Sequence, residues 1–173
     1  MQGISISLTQ LLMKGVPEGL LMTLAFHLFT NTKIEKNKFA FLAAANIIIP
    51  FLIRFLPISL GVNTILSLLT LIVLFNIVYQ AQLTTVVRSI ITAVVVMTMI
   101  IIAETLNYLL LFLMFGPERT DQILNFSSEL TKNTATIPST LFLAVLIFFA
   151  YWLMKKFENR KSAHATTQKK NSR

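Results

Sequence analysis

Residues 86–115 read VVRSIITAVVVMTMIIIAETLNYLLLFLMF. Beyond Arg88 the stretch carries one charge, Glu104. A helix needs about 20 mostly apolar residues to cross a bilayer, so this run is long enough to cross with a tilt or a bend. It is too long for a barrel strand and lacks the period-2 alternation such strands show. Working outward, four more stretches qualify as spans. They are about 5–30, broken by Lys14, Gly15, Pro17 and Glu18, about 39–57, with Pro50 and Arg54 inside, about 60–79, uncharged, and about 138–154, ending at the aromatic pair Tyr151 and Trp152. The expected fold is all-α, a polytopic integral membrane bundle of about five transmembrane helices over residues 1–154.

Composition agrees. Hydrophobic residues make up 55% of the 173 and charged residues 13%, half the share usual in a soluble domain. The mean hydropathy is +0.73. The net charge of +8 is localised: seven basic residues of the tail, 155–173, stand against Glu158 and supply six of the eight charges. That tail reads as a basic, disordered cytoplasmic extension. Lysine and arginine mark the first loop (Lys33, Lys36, Lys38), the third (Arg88) and the tail, while the fourth loop is richer in acids (Glu118, Asp121, Glu129). The positive-inside rule then places the N-terminus outside and the C-terminus inside. An odd number of spans puts the two termini on opposite sides, in agreement with this. Basic groups beside a membrane attract anionic lipid, each by about 1 kcal/mol. With no aromatic residue after Phe157, the tail is not read as a nucleic-acid binder.

The first segment has two readings. Gly15, Pro17 and Glu18 resemble a helix start, with proline in the first turn and an acid beside the positive helix end. That divides the segment into an interfacial piece and a short span; the alternative is one kinked span. No basic n-region or A-x-A-like site marks a cleavable signal peptide.

Ionisable groups at bilayer depth are costly and face partners inside the bundle. Four occur: Lys14, Glu18, Arg54 and Glu104. At a rise of 1.5 Å per residue, Arg54 lies about 22 Å above its cytoplasmic helix end, Glu104 about 25 Å and Glu18 about 18 Å. They can therefore meet at one level in the outer half, with two positive and two negative charges. Lys14 and Glu18 are four apart and share a face if helical. Asn107 follows Glu104 by three residues on the same side. One reading is a polar site for a ligand, ion or proton; the other is a structural network fixing helix register, since a buried pair often returns no more than its desolvation costs. Asn46, Asn63 and Asn76 read as hydrogen-bond links between helices, Pro50 as a kink. His27 reads as a lone interfacial histidine opposite Glu18.

Enzyme motifs are missing. No H-E-x-x-H, Walker loop or G-x-S-x-G occurs, and there is no cysteine. No cofactor or metal set is read.

Several short motifs occur in order: PEGLL at 17–21, IRFLPISLGVNTIL at 53–66, VVRSIITAVVV at 86–96 and AETLNYLLL at 103–111. This pattern resembles the N-terminal membrane-embedded sensor region of GHKL, sporulation-kinase-like histidine kinases of Gram-positive spore-formers. The resemblance covers about residues 9–115. Its recurrent positions map to Pro17, Glu18, Arg54, Gly61 and Glu104. It implies a sensor-like membrane module with a cytoplasmic C-terminus. In those kinases a catalytic region follows the last span, whereas here about 19 polar residues follow, with no phospho-acceptor helix (His164 lacks one) and no ATP motif. Kinase activity is therefore not carried over. The expected function is a non-enzymatic sensor-input-like or regulatory module, acting with a kinase or another membrane protein as partner. A small-solute or ion transporter subunit and a purely structural partner are the alternatives.

Overall fold

The computed structural model describes residues 11–53, 60–126 and 129–171. Among these every regular element is helical, and no strand occurs. A π-helical turn, Leu11–Gly15, runs straight into α1, Val16–Thr30. Pro17 lies in the first turn of α1, where a missing N–H is tolerated. Asn31 ends the helix in the left-handed conformation, φ 56°, which asparagine adopts more readily than most residues. Helix α2 covers Lys36–Ile53 and passes through Pro50; α3 covers Leu60–Val78. Helix α4, Leu83–Phe115, has 33 residues, about 50 Å by helical rise. It stops at Gly116, whose φ of 78° favours glycine. A short α5, Pro117–Asp121, and a second π-helical turn, Gln122–Phe126, lead to α6, Glu129–Asn171.

Four segments are long and apolar enough to cross a membrane: Leu11–Thr30, Lys36–Ile53, Leu83–Phe115 and Thr134–Lys156. Helix α3 adds a shorter apolar stretch, Thr64–Val78. Of the two readings of the first segment the continuous one is supported, and one other expectation changes. The first span is continuous from Leu11, with a π-turn rather than a break at Gly15, while residues 5–10 lie outside the described residues. The tail expected to be disordered is helical as far as Asn171. No glycine or proline follows Pro138, and the tail's commonest residue is lysine, which favours helix.

Helix α1 packs on α2, α4 and α6; α3 packs on α2 and α4; and α4 has its largest interface with α6. The shared core holds Phe26, Leu42, Phe75, Val96, Leu143 and Ile147, with the Phe26 and Phe75 rings 5.6 Å apart. Large apolar side chains also cover the outside, among them Val94, Leu113 and Val145. A bundle apolar on both its inner and outer surfaces suits lipid, where packing and interhelical hydrogen bonds replace the hydrophobic drive. Three asparagines make such bonds. Asn46 Nδ2 donates to the Gly19 carbonyl at 3.1 Å, Asn76 Nδ2 to Ser89 Oγ at 2.9 Å and Asn107 Nδ2 to the Ala135 carbonyl at 3.0 Å. Threonines satisfy their hydroxyls on the carbonyl four residues back, as Thr98 and Thr105 do.

The contacts also fix direction. Lys38, at the start of α2, lies 5.0 Å from the centroid of Tyr79, just past the end of α3. His27, near the end of α1, hydrogen-bonds the same tyrosine. Helix α3 therefore runs back along α2 for its full length, and α1 ends on the same layer.

Candidate polar site within the bundle

The π-turn positions Lys14. Its Nζ lies 3.5 Å from Glu104 Oε1 on α4 and 3.8 Å from Glu18 Oε1 one turn along. The Lys14 and Glu18 side chains are 14% and 16% exposed, that of Glu104 57%. Both distances exceed the 2.7–2.9 Å typical of a tight charge-assisted bond. One ammonium is thus shared loosely between two carboxylates from different helices. Lys14 and Glu104 also agree in height: about 24 Å above Thr30 and Arg88 respectively, by helical rise.

A cavity of about 70 Å³ opens between α1, α2 and α3 beside Glu18. Asn46, Thr64 and Ser67 give it polar walls; Met22, Ile47 and Phe51 give it apolar ones. At about 30 Å³ per water it has room for about two waters. Pro50 lines it too, and the proline ring supplies no N–H to the carbonyl of Asn46 one turn back. Gly19 brings α1 against α2 at the cavity edge: an added Cβ would lie 2.6 Å from Ile47 Cγ1. The site therefore joins a shared ammonium, a carboxylate with low exposure and a small space with polar walls, chemistry suited to proton or small-ligand exchange.

Of the sequence candidates, Lys14, Glu18 and Glu104 come together. Asn107 does not join them; it is buried in the α4–α6 seam on Ala135, and its Oδ1 has no hydrogen-bond partner among the described residues. Arg54 lies outside the described residues.

A second polar group centres on His27, which the structure shows enclosed and hydrogen-bonded rather than lone. His27 is 2% exposed. Its Nδ1 lies 2.7 Å from the Thr23 carbonyl and its Nε2 2.8 Å from the Tyr79 hydroxyl. A carbonyl only accepts, so Nδ1 carries the proton. In the neutral ring Nε2 then accepts from the tyrosine O–H. The rings of Phe39, Phe75 and Tyr79 surround the imidazole at 5.3 Å. The available signal was the spacing of Gly19, Thr23, His27 and Thr30, a small and polar stripe along one face, all buried.

In comparisons with known proteins, no family model, curated protein or solved structure matches this chain.

Proposed function

We propose that this chain is a multi-pass cell-membrane protein of five spans, N-terminus outside and C-terminus in the cytoplasm. It acts without enzymatic chemistry, as a sensor-input or regulatory module. The observation that carries this reading is the Lys14 ammonium shared between Glu18 of α1 and Glu104 of α4. Such an arrangement has two states, because protonating or occupying either carboxylate shifts the lysine to the other. The cavity beside Glu18 gives a small signal access to one side of that balance. The shift would bear on how α1 meets α4, and α4 packs on α6, which continues as one helix to Asn171. A change at the polar site thereby reaches the cytoplasmic end, where a kinase or other membrane protein would read it and the basic tail would touch anionic lipid.

Orientation draws support from the lysine–aromatic contacts. Lys38 over Tyr79, Lys155 over Tyr151 and Lys156 over Trp152 all belong to the end of the bundle assigned to the cytoplasm. The polar cavity at Pro50 also favours a second reading, a small-ion transporter subunit; uptake into proteoliposomes separates the two.

The test compares wild type with Lys14→Met, Glu104→Gln and the double variant, for stability in nanodiscs and for the phenotype of a deletion host. The contacts are long, 3.5 and 3.8 Å, and a pair at this depth often returns no more than its desolvation costs. The module reading expects small stability changes and a lost response in each variant. Single variants that each lose about 3–5 kcal/mol, with recovery in the double, would mark a structural pair instead.

A further inference from the structure

The outer face of α4 presents Val94, Thr98, Ile101, Thr105, Tyr108 and Phe112, all exposed. Their spacing alternates four and three, the seam pattern of a left-handed helix pair. At 100° per residue this stripe lies opposite the buried face formed by Ala93, Val96, Ile100 and Ala103. Glu104 flanks the stripe, at the position beside Thr105 that contacts a partner helix in such a pair. Exposed apolar residues continue on both sides of it, from Val94 through Ile102 and from Leu106 to Phe115. Its exposed carboxylate therefore sits within apolar surroundings, where an uncovered charge is costly.

Two polar groups on this face are incomplete. Glu104 has one polar partner among the described residues, Lys14 at 3.5 Å. The Tyr108 hydroxyl, on a side chain 44% exposed, has none among them. One group accepts and the other donates, and they stand one turn apart. Helical side chains lean toward the N-terminus, so Tyr108 covers the level of Glu104. A two-fold axis along the stripe would bring Tyr108 of each copy to Glu104 of the other, the reciprocity that a symmetric dimer requires. Copies inserted in one orientation share a vertical axis, which makes the two α4 helices parallel. The threonines at 98 and 105 add small side chains that let the backbones approach.

We propose that a second copy of this chain covers the α4 face, with paired Tyr108–Glu104 hydrogen bonds across the seam. The proposal rests on the membrane reading and not on the sensor reading. The chain contains no cysteine, so single-cysteine variants of the full chain report contacts cleanly. Oxidative cross-linking in carbonate-washed native membranes is expected at positions 98, 101, 105 and 108. Positions 95, 102 and 113, exposed but about a quarter-turn round the helix, are expected to give at least tenfold less. In the Thr105→Cys background, Tyr108→Phe and Glu104→Ala should each reduce the cross-linked dimer several-fold, the two together no further, while Glu104→Gln retains it. Membrane-inserted protein that fails to cross-link, or cross-links equally at 95 and 102, overturns the dimer while leaving the membrane reading intact. So does cross-linking at the seam positions to a different protein. A periodic pattern indifferent to Tyr108→Phe and Glu104→Ala overturns the paired hydrogen bonds.

Discussion

Gly19 sets how closely α1 and α2 approach. The Cβ of an alanine there would lie 2.6 Å from Ile47 Cγ1 and 3.4 Å from the backbone of Asn46 and Ile47. The clash falls on the Cγ1 of a β-branched side chain, whose χ1 is stiff, so it does not swing aside as a flexible side-chain tip does. Gly19→Ala is therefore expected to destabilise by about 1–3 kcal/mol, the usual range for overpacking. It should also weaken the Asn46–Gly19 bond at the cavity edge. Denaturant unfolding in detergent checks it, and Ile47→Ala in the same chain should recover part of the loss. An unchanged midpoint in Gly19→Ala would mean that the helices are not held at this distance. At this scale the sequence was legible where charge met apolarity: Lys14, Glu18 and Glu104 stand out because each is costly in lipid. It was not legible for His27. Nothing in an apolar window tells an interfacial histidine from one enclosed by Phe39, Phe75 and Tyr79, since those rings come from other helices.

Helices α4 and α6 form the largest interface, and Asn107 is its polar tie. Its amide reaches the Ala135 carbonyl close to Pro138, which donates no N–H and loosens the helical ladder there. Its other polar atom, Oδ1, is buried without a partner among the described residues. A leucine at 107 would lose one interhelical bond and also remove that unsatisfied acceptor, so Asn107→Leu should cost about 1 kcal/mol or less. Asn107→Asp keeps the unsatisfied oxygen, removes the donor and adds a buried charge, so it should cost several times more. Thermal unfolding of the two variants in nanodiscs gives the order; Leu more damaging than Asp would contradict this account. Element positions were largely legible, because long apolar runs leave few alternatives to helix. Their ends were less so. The run at about 138–154 marks only the apolar middle of α6, which extends from Glu129 to Asn171. Helix propensity continues into polar sequence where hydropathy falls, and hydropathy was the signal being read.

As a whole, the described residues form a bundle built on the long helices α1, α2, α3, α4 and α6. Four are long and apolar enough to cross a membrane. The fifth, α3, brings Tyr79 back to His27 and Lys38, so it travels the bundle's length although its described apolar stretch is shorter. The all-α class was legible from the length of the apolar runs and their lack of period-2 alternation. The antiparallel return of α3 was expected from loop charge, but its closure through Tyr79 depends on contacts between residues far apart in sequence. The most direct measurement of the central claim, five spans with the N-terminus outside, is labelling of single cysteines with a membrane-impermeant maleimide in right-side-out and inside-out vesicles. Lys33→Cys and Gln168→Cys are predicted to react from the cytoplasmic side only, and Glu118→Cys from the opposite side only. Positions 33 and 118 labelling from the same side would mean that α3 does not cross, and would contradict the account.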